Sequence, residues 1–193
     1  RSERALWLLH SRRTLEFAAR VRARDVVMHS GSVSFLFGSP ETVLEASPPA
    51  PTAAREKALA RLRRRATPAM HHLLVSYTAL LPAVEAHSLV LGIENREGVV
   101  ELPLDDAFDE FFSQFPDEAP LGYWHDTGHA EVMHRLGLVE RGDWLRRLGP
   151  RTVGTHINDV DGVTDHRAPG EGTSPWDALL AGLPDAAIRV FEI

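Results

Sequence analysis

The sequence predicts an α/β protein with a parallel β-sheet that is covered by helices on both faces. Two observations support this fold class. Short segments such as residues 89–98 are apolar on both faces of a strand, and amphipathic helical segments separate them. Strands of this kind are buried on both sides, as in parallel sheets with helical crossovers. In addition, each strand ends in a polar residue that can bind a metal ion, which indicates a shared site at one edge of the sheet.

Composition excludes several classes of protein. The chain has 193 residues, of which 44% are hydrophobic, and a formal net charge of −6. It has no cysteine, so disulfides, thiolate zinc sites and cysteine nucleophiles are excluded. No apolar segment approaches the ~18 residues of a membrane span, and the acidic charge argues against a nucleic-acid partner. We therefore expect a cytoplasmic protein without a membrane partner.

Periodicity divides the chain into five strands and the helices between them. The predicted strands cover residues 25–31, 89–98, 121–126, 151–162 and 187–193. Helical patterns cover residues 3–22, 53–65, 67–84, 105–113, 129–136 and 143–148, and a last helix follows a predicted capping box at Ser174. Residues 31–66 are predicted to be an inserted loop and a basic helix, and Thr67 and Pro68 to begin a new helix.

Five residues of metal-binding type stand at the ends of the five strands. They are His29, Glu94, Asp126, His156 and Glu192, and the last four are 32, 30 and 36 residues apart. One such residue is usually a cap or a turn former. Because the carboxyl ends of parallel strands meet on one face, however, five together predict a site.

The chemistry of this site follows from its ligands. Carboxylate and imidazole groups bind divalent Zn, Mn, Co or Mg. His125 alternates with Asp126 along the strand, so we expect the side chain of His125 to point away from the site. The glycine turn "PGEG" at residues 169–172 leads into a helix. It offers backbone N–H groups to an anion such as phosphate, although a simple helix entry explains the turn equally well.

The motifs "GIEN", "HDTGHA", "THIND" and "DHRAPGEG", followed by a strand ending in "FE", resemble the xylose-isomerase-like TIM barrels. This superfamily includes sugar phosphate isomerases and epimerases, and the endonuclease IV type of apurinic endonuclease (AP endonuclease family 2). The resemblance covers residues 26–193. It implies a parallel (β/α)8 barrel, of which residues 1–193 form a single partial domain, a C-terminal fragment whose first three strands are missing. The helical start at Arg1, without a methionine, supports this expectation.

The resemblance also implies a role for individual residues. The shared metal ligands are Glu94, Asp126, His156 and Glu192, and the further candidate ligands are His29, His129 and His166. Glu94 and Glu192 are the implied catalytic proton carriers, and His129 orients the substrate. Arg167 is an additional candidate for a substrate contact. Arg96 is another by its position two residues after Glu94, although a solvated arginine at the end of a strand explains it equally well. The acid that the endonucleases have two residues before His166 is replaced here by Thr164.

These residues imply a divalent-metal-dependent sugar or sugar-phosphate isomerase or epimerase. It would act by proton transfer through a metal-stabilised ene-diolate. The alternative is a multinuclear zinc phosphodiester hydrolase acting on a small phosphodiester or an abasic site. In either case the expected partner is a small sugar or a phosphorylated substrate.

Overall fold

Five parallel strands form the centre of the structure, a computed structural model that describes residues 3–193. They are β1 (Asp25–Met28), β2 (Val90–Glu94), β3 (Leu121–Asp126), β4 (Thr152–Ile157) and β7 (Ile188–Phe191). The sheet has the order β1-β2-β3-β4-β7, and every neighbouring pair is parallel. The sheet curls into a half-barrel, which confirms the predicted fold class of a partial TIM barrel.

Helices connect the strands. They are α1 (Glu3–Arg20), α2 (Glu41–Leu44), α3 (Thr52–Ala86), α4 (Phe108–Ser113), α5 (Thr127–Arg135), α6 (Asp143–Leu148) and α7 (Trp176–Leu180). Short 3-10 turns precede α4 and β4, at Asp105–Ala107 and Gly149–Arg151. None of the helices within residues 3–193 has the length and apolar character that crossing a membrane requires.

The predicted break before Pro68 is wrong, because Pro68 lies inside α3, a continuous helix of 35 residues. A proline inside a helix removes one backbone hydrogen bond and is normally destabilising. Here the hydroxyl of Thr67 donates to the carbonyl of Arg63 at 3.1 Å, just before the proline. Residues on both sides of Pro68 are buried on one face of the helix, including Leu62 and Leu73. Tertiary packing therefore outweighs the local cost of the proline.

The predicted strand at residues 151–162 is also interrupted, at Asn158. After β4 the chain forms an antiparallel hairpin of β5 (Asp159–Asp161) and β6 (Thr164–Arg167), which is separate from the main sheet. The backbone N–H of Asn158 donates to the hydroxyl of Thr127, and that hydroxyl donates to the carbonyl of Asn158. These bonds take the backbone of Asn158 out of the sheet and direct the hairpin across the strand ends.

Alternation along β3 decides which side chains reach the strand-end site. Tyr123 packs against Phe108 of α4, with ring centroids 5.6 Å apart. Trp124 points to the opposite face and lies over two glycines of the neighbouring strands. A Cβ atom added at Gly92 or Gly154 would come within 2.8 or 2.2 Å of the Trp124 ring. The glycines therefore allow the indole to fill the inner face of the sheet beneath the site.

Candidate metal centre

Four side chains of metal-binding type meet at the carboxyl ends of the parallel strands. Glu94 ends β2, Asp126 ends β3, His156 lies one residue before the end of β4, and Glu192 follows β7. One ligand atom from each lies within 4.8 Å of those of the other three. We call these four residues the metal cluster. The structure thus brings together the four residues that the sequence predicts as metal ligands.

The imidazole of His156 contacts all three acids of the metal cluster. Its Nδ1 atom is 2.6 Å from Oε1 of Glu94, 2.7 Å from Oε2 of Glu192 and 3.7 Å from Oδ2 of Asp126. A single proton on Nδ1 cannot neutralise three carboxylates. A divalent cation among these oxygens would neutralise more of their charge, and carboxylate and imidazole are suitable ligands for it. The donor set therefore fits a divalent cation.

The two buried acids of the metal cluster have pKa values shifted in opposite directions. Burial alone would raise the pKa of Glu94, but hydrogen bonds with His156 and His29 outweigh it and hold that pKa well below its usual range. Burial raises the pKa of Asp126, because the nearby His129 offsets the burial only in part. Glu94 is therefore the more firmly ionised of the two buried carboxylates.

Two basic side chains contact the second oxygen of Glu94. Nε2 of His29 is 2.8 Å and Nη1 of Arg96 is 3.0 Å from Oε2 of Glu94. The guanidinium of Arg96 also contacts Glu97 and Glu101, each at 3.2 Å. Arg96 thus lies among three carboxylates and orients Glu94 in this structure. Its predicted contact with the substrate, and the predicted role of His29 as a metal ligand, stay predictions.

A second group of metal-binding side chains, His129, Asp165 and His166, lies beside the metal cluster. We call it the His129 cluster. Nδ1 of His129 is 2.8 Å from the carbonyl oxygen of Asn95, and a carbonyl only accepts, so Nδ1 carries the hydrogen. Its Nε2 atom lies 3.2 Å from Oε2 of Glu97 and 3.4 Å from Oδ2 of Asp165.

The three facing atoms of His129, Glu97 and Asp165 are buried and make no hydrogen bond with the described residues, although Oε2 of Glu97 is ion-paired with Nη2 of Arg96 at 3.2 Å. Buried acceptors in contact are unfavourable unless a proton or a cation lies between them. The ring of His166 is 5.6 Å from that of His129 and offers a further nitrogen. The His129 cluster therefore fits either a second cation or polar groups of a substrate.

His125 lies on the face of β3 opposite to Asp126 and is buried, with 2% of its surface exposed. The hydroxyl of Tyr123 donates to Oδ1 of Asn95 at 2.8 Å, so Nδ1 of His125 donates to the Tyr123 oxygen at 2.9 Å. Burial lowers the pKa of His125 to about 3, and its ring is neutral at pH 7. His125 therefore belongs to the packed layer between the sheet and the helices.

The glycine turn after β6 does bind an anion, but this anion is the side chain of Asp159. The backbone N–H groups of Gly170 and Gly172 donate to its Oδ2 atom at 2.8 and 3.0 Å. Those of Val160 and Ser174 donate to Oδ1 at 2.8 and 3.0 Å. Of the two interpretations that the sequence left open for this turn, binding of a substrate phosphate does not apply to these N–H groups, because Asp159 occupies them. The bonds instead hold in place the loop that follows β6.

The outer rim of the site contains one predicted residue and two that the sequence analysis did not select. Arg167 ends β6, is exposed, and follows His166 in the chain, so its predicted contact with substrate stays a prediction. Glu97 and Asp165 were not selected. Glu97 follows Glu94 by three residues in the turn after β2, and Asp165 directly precedes His166. Proximity to a strand-end ligand is the signal that could have identified both.

Comparison with solved structures shows the same fold in sugar epimerases. A D-tagatose 3-epimerase-like protein has a TM-score of 0.66 and 19% identity, and the match covers 98% of this chain and 63% of that one. For a D-psicose 3-epimerase in the presence of D-fructose, the TM-score is 0.65 and the identity 16%, covering 97% and 56%. The IOLI protein with a binding zinc atom has a TM-score of 0.63 and 15% identity, covering 100% and 63%.

These similarities agree with the predicted fold, a partial parallel TIM barrel. This chain spans about three fifths of the length of the structures named above, from 56% to 63%. No protein-family model matches the chain, and no curated protein is significantly similar to it in sequence. The similarity to the solved structures is therefore a similarity of fold.

The buried carboxylate of Asp159 should make the stability of the protein depend on pH. Burial alone would raise its pKa, but hydrogen bonds from Ser174, Val160 and the glycine turn hold the pKa far below its usual range. A carboxyl group with a lower pKa in the folded state stabilises the protein above the unfolded-state pKa of about 4. That stabilisation is lost as the pH falls below this value, because the unfolded chain binds the proton more readily.

The free energy of unfolding of the wild type should decrease as the pH falls from about 5 to 3. We expect a smaller decrease in Asp159→Asn. Urea unfolding followed by circular dichroism at several pH values measures this dependence. Asp161→Asn is a matched control, since Asp161 lies exposed on the same hairpin. Equal pH dependence in the wild type and in Asp159→Asn would contradict the role given to this carboxylate.

Proposed function

We propose that this chain carries the metal-binding and proton-transfer face of a divalent-metal-dependent sugar or sugar-phosphate isomerase or epimerase. The metal cluster is the observation that most supports this function, because two glutamates, an aspartate and a histidine converge within 4.8 Å of one another. Structures with the same fold include 3-epimerases of D-tagatose and D-psicose type. Ketose sugars are accordingly the first substrate class to test.

The residues that would hold the cation are Glu94, Asp126, His156 and Glu192, with His29, His129 and His166 as further candidates. A bound divalent cation would polarise a substrate carbonyl and stabilise the negative charge that develops on its oxygen. The zinc atom in the similar IOLI protein supports a cation of this kind, and Mn, Co and Mg suit the same ligands.

Glu94 and Glu192 are the proposed proton carriers. Epimerisation removes a proton from one face of a carbon and returns a proton to the other face, so it needs two carrier groups on different sides. Glu94 reaches the cluster from β2, and Glu192 reaches it from the end of β7 on the far side of β3 and β4. The side chain of Glu94 is fully buried, whereas 43% of the Glu192 side chain is exposed and accessible to a substrate carbon.

His129, Arg96 and Arg167 would orient the substrate. Nε2 of His129 makes no hydrogen bond within residues 3–193 and is directed between Glu97 and Asp165, where it can form a hydrogen bond with a sugar hydroxyl. Arg167 is exposed at the end of β6, on the rim of the site. The comparisons do not favour the alternative of a multinuclear zinc phosphodiester hydrolase.

The proposed proton transfer predicts that the protein exchanges a substrate C–H proton with solvent. Intact protein would be incubated in D2O with Mn2+ or Co2+ and with D-fructose, D-psicose or D-tagatose, or with their phosphates. We expect proton NMR to show loss of the signal at C1 or C3, the carbons next to the carbonyl. A sample treated with a chelator should show no exchange. Absence of exchange with every substrate and metal would contradict the proposed function.

The same assay separates the two roles proposed for Glu192. In Glu192→Gln an amide oxygen remains to bind the cation, but the basicity needed to accept a proton is lost. We expect exchange to fall by at least roughly a hundredfold while metal affinity changes much less. Glu118→Gln, at an exposed glutamate, is the control. Parallel losses of affinity and exchange would make Glu192 a ligand only.

Substitution by alanine should affect turnover differently at His125 and at His129, which lie on either side of residues 126–128. His129→Ala removes a group aimed into the site and should reduce turnover by at least roughly a hundredfold. His125→Ala should leave turnover per folded molecule nearly unchanged but lower the melting temperature, because it opens a buried space and removes the bond to Tyr123. Turnover and thermal melting of both variants test this. A larger loss of turnover in His125→Ala would show that our assignment of the two rings is inverted.

A further inference from the structure

Asn158, in the "THIND" motif, connects the two clusters of the candidate site. We infer that Asn158 is a positioning residue: its amide orients the Asp126 carboxylate in the metal cluster and holds the backbone of His166 beside His129. This assignment rests on the proposed function. The residue lies where β4 ends and the hairpin of β5 and β6 begins, and none of its surface is exposed.

Each end of the Asn158 amide has a defined partner. Nδ2 donates to Asp126, with distances of 3.0 Å to Oδ2 and 3.2 Å to Oδ1. Oδ1 accepts from the backbone N–H of His166 at 3.2 Å. A carboxylate only accepts and a backbone N–H only donates, so the amide has one orientation that satisfies both. Asn158 therefore links a metal-cluster carboxylate to the chain segment that carries His166.

The orientation of Asp126 depends on more than one donor. Its Oδ1 atom accepts from the backbone N–H of His129 at 2.8 Å and so caps the start of α5. Its Oδ2 atom lies 3.7 Å from Nδ1 of His156, inside the metal cluster. Donation from Asn158 to both oxygens fixes the plane of the carboxylate, so that one oxygen serves the helix and the other faces the cation position.

The backbone of His166 has a conformation that needs support. Its φ angle is +56°, in the left-handed region that residues with a side chain seldom adopt. The hydrogen bond from its N–H to Asn158 helps to hold this conformation. The ring of His166 lies 5.6 Å from that of His129. Without the Asn158 oxygen, the hairpin loses its direct bond to the metal-cluster side of the site.

Gly128 and Thr127 of the "HDTGHA" motif create the space for this amide. A Cβ atom at Gly128 would lie 1.8 Å from Oδ1 of Asn158. Any residue other than glycine at this position would therefore displace the amide. The Thr127 hydroxyl bonds to both the N–H and the carbonyl of Asn158. The two motifs are therefore complementary, and Asn158 requires a glycine two residues after Asp126.

Co2+ binding tests the first half of this assignment. The intact wild type, Asn158→Ala and Asn158→Ser would be titrated with Co2+, with visible absorption as the signal. We expect both variants to bind at least roughly tenfold more weakly, the scale observed when a group supporting a metal ligand is lost. The control is Thr152→Val, which removes a buried hydrogen bond to Leu148 at the far end of β4. It should change thermal stability without changing Co2+ affinity.

Hydrogen exchange of the His166 backbone amide tests the second half and needs no metal. Both Asn158 variants should speed this exchange by roughly tenfold or more, and Thr152→Val should not. Unchanged Co2+ affinity and unchanged exchange in variants that fold would overturn the positioning role and leave the proposed function standing. Failure of the wild type to bind Co2+ would instead overturn the metal site, and with it the assignment of Asn158 as its support.

Discussion

The contact between Glu94 and His156 is the interaction on which the site depends. It joins β2 to β4 across the end of β3, with Oε1 of Glu94 and Nδ1 of His156 only 2.6 Å apart. A buried carboxylate is costly unless hydrogen bonds and opposite charge compensate it. Glu94 receives that compensation from His156, His29 and Arg96, whereas the nearby His129 offsets the burial of the neighbouring Asp126 only in part. A divalent cation among these oxygens would complete the compensation, and residues from four strands are close enough together to hold one.

Two buried residues next to the metal cluster, Asn158 and Asp159, hold other parts of the site in place. Asn158 fixes Asp126, and Asp159 beside it fixes the loop after β6 through three backbone N–H groups of that loop. The side chain of Asn158 therefore binds at the strand ends, and the side chain of the adjacent Asp159 binds the loop after the hairpin. Their burial restricts the hairpin, which carries Asp165, His166 and Arg167, to one position over the sheet.

Much of the fold and of the metal cluster could be predicted from the sequence, because both follow from local patterns. Apolar strands with polar ends are visible in a single sequence, and parallel order brings the ends together. The exceptions depend on tertiary contacts. The continuity of α3 through Pro68 results from packing of its buried face, and the interruption at Asn158 results from bonds to Thr127. The partners of Asp159 are 11 to 15 residues away for three of its four bonds, so no local pattern marks it.

The central claim is that one divalent cation binds among the four residues of the metal cluster. Anomalous diffraction from crystals of the intact protein grown with Co2+, recorded on both sides of the cobalt absorption edge, tests it most directly. The expected result is a peak about 2.0–2.3 Å from ligand atoms of Glu94, Asp126, His156 and Glu192. A peak that contacts only the His129 cluster, or no peak at saturating Co2+, would contradict the claim.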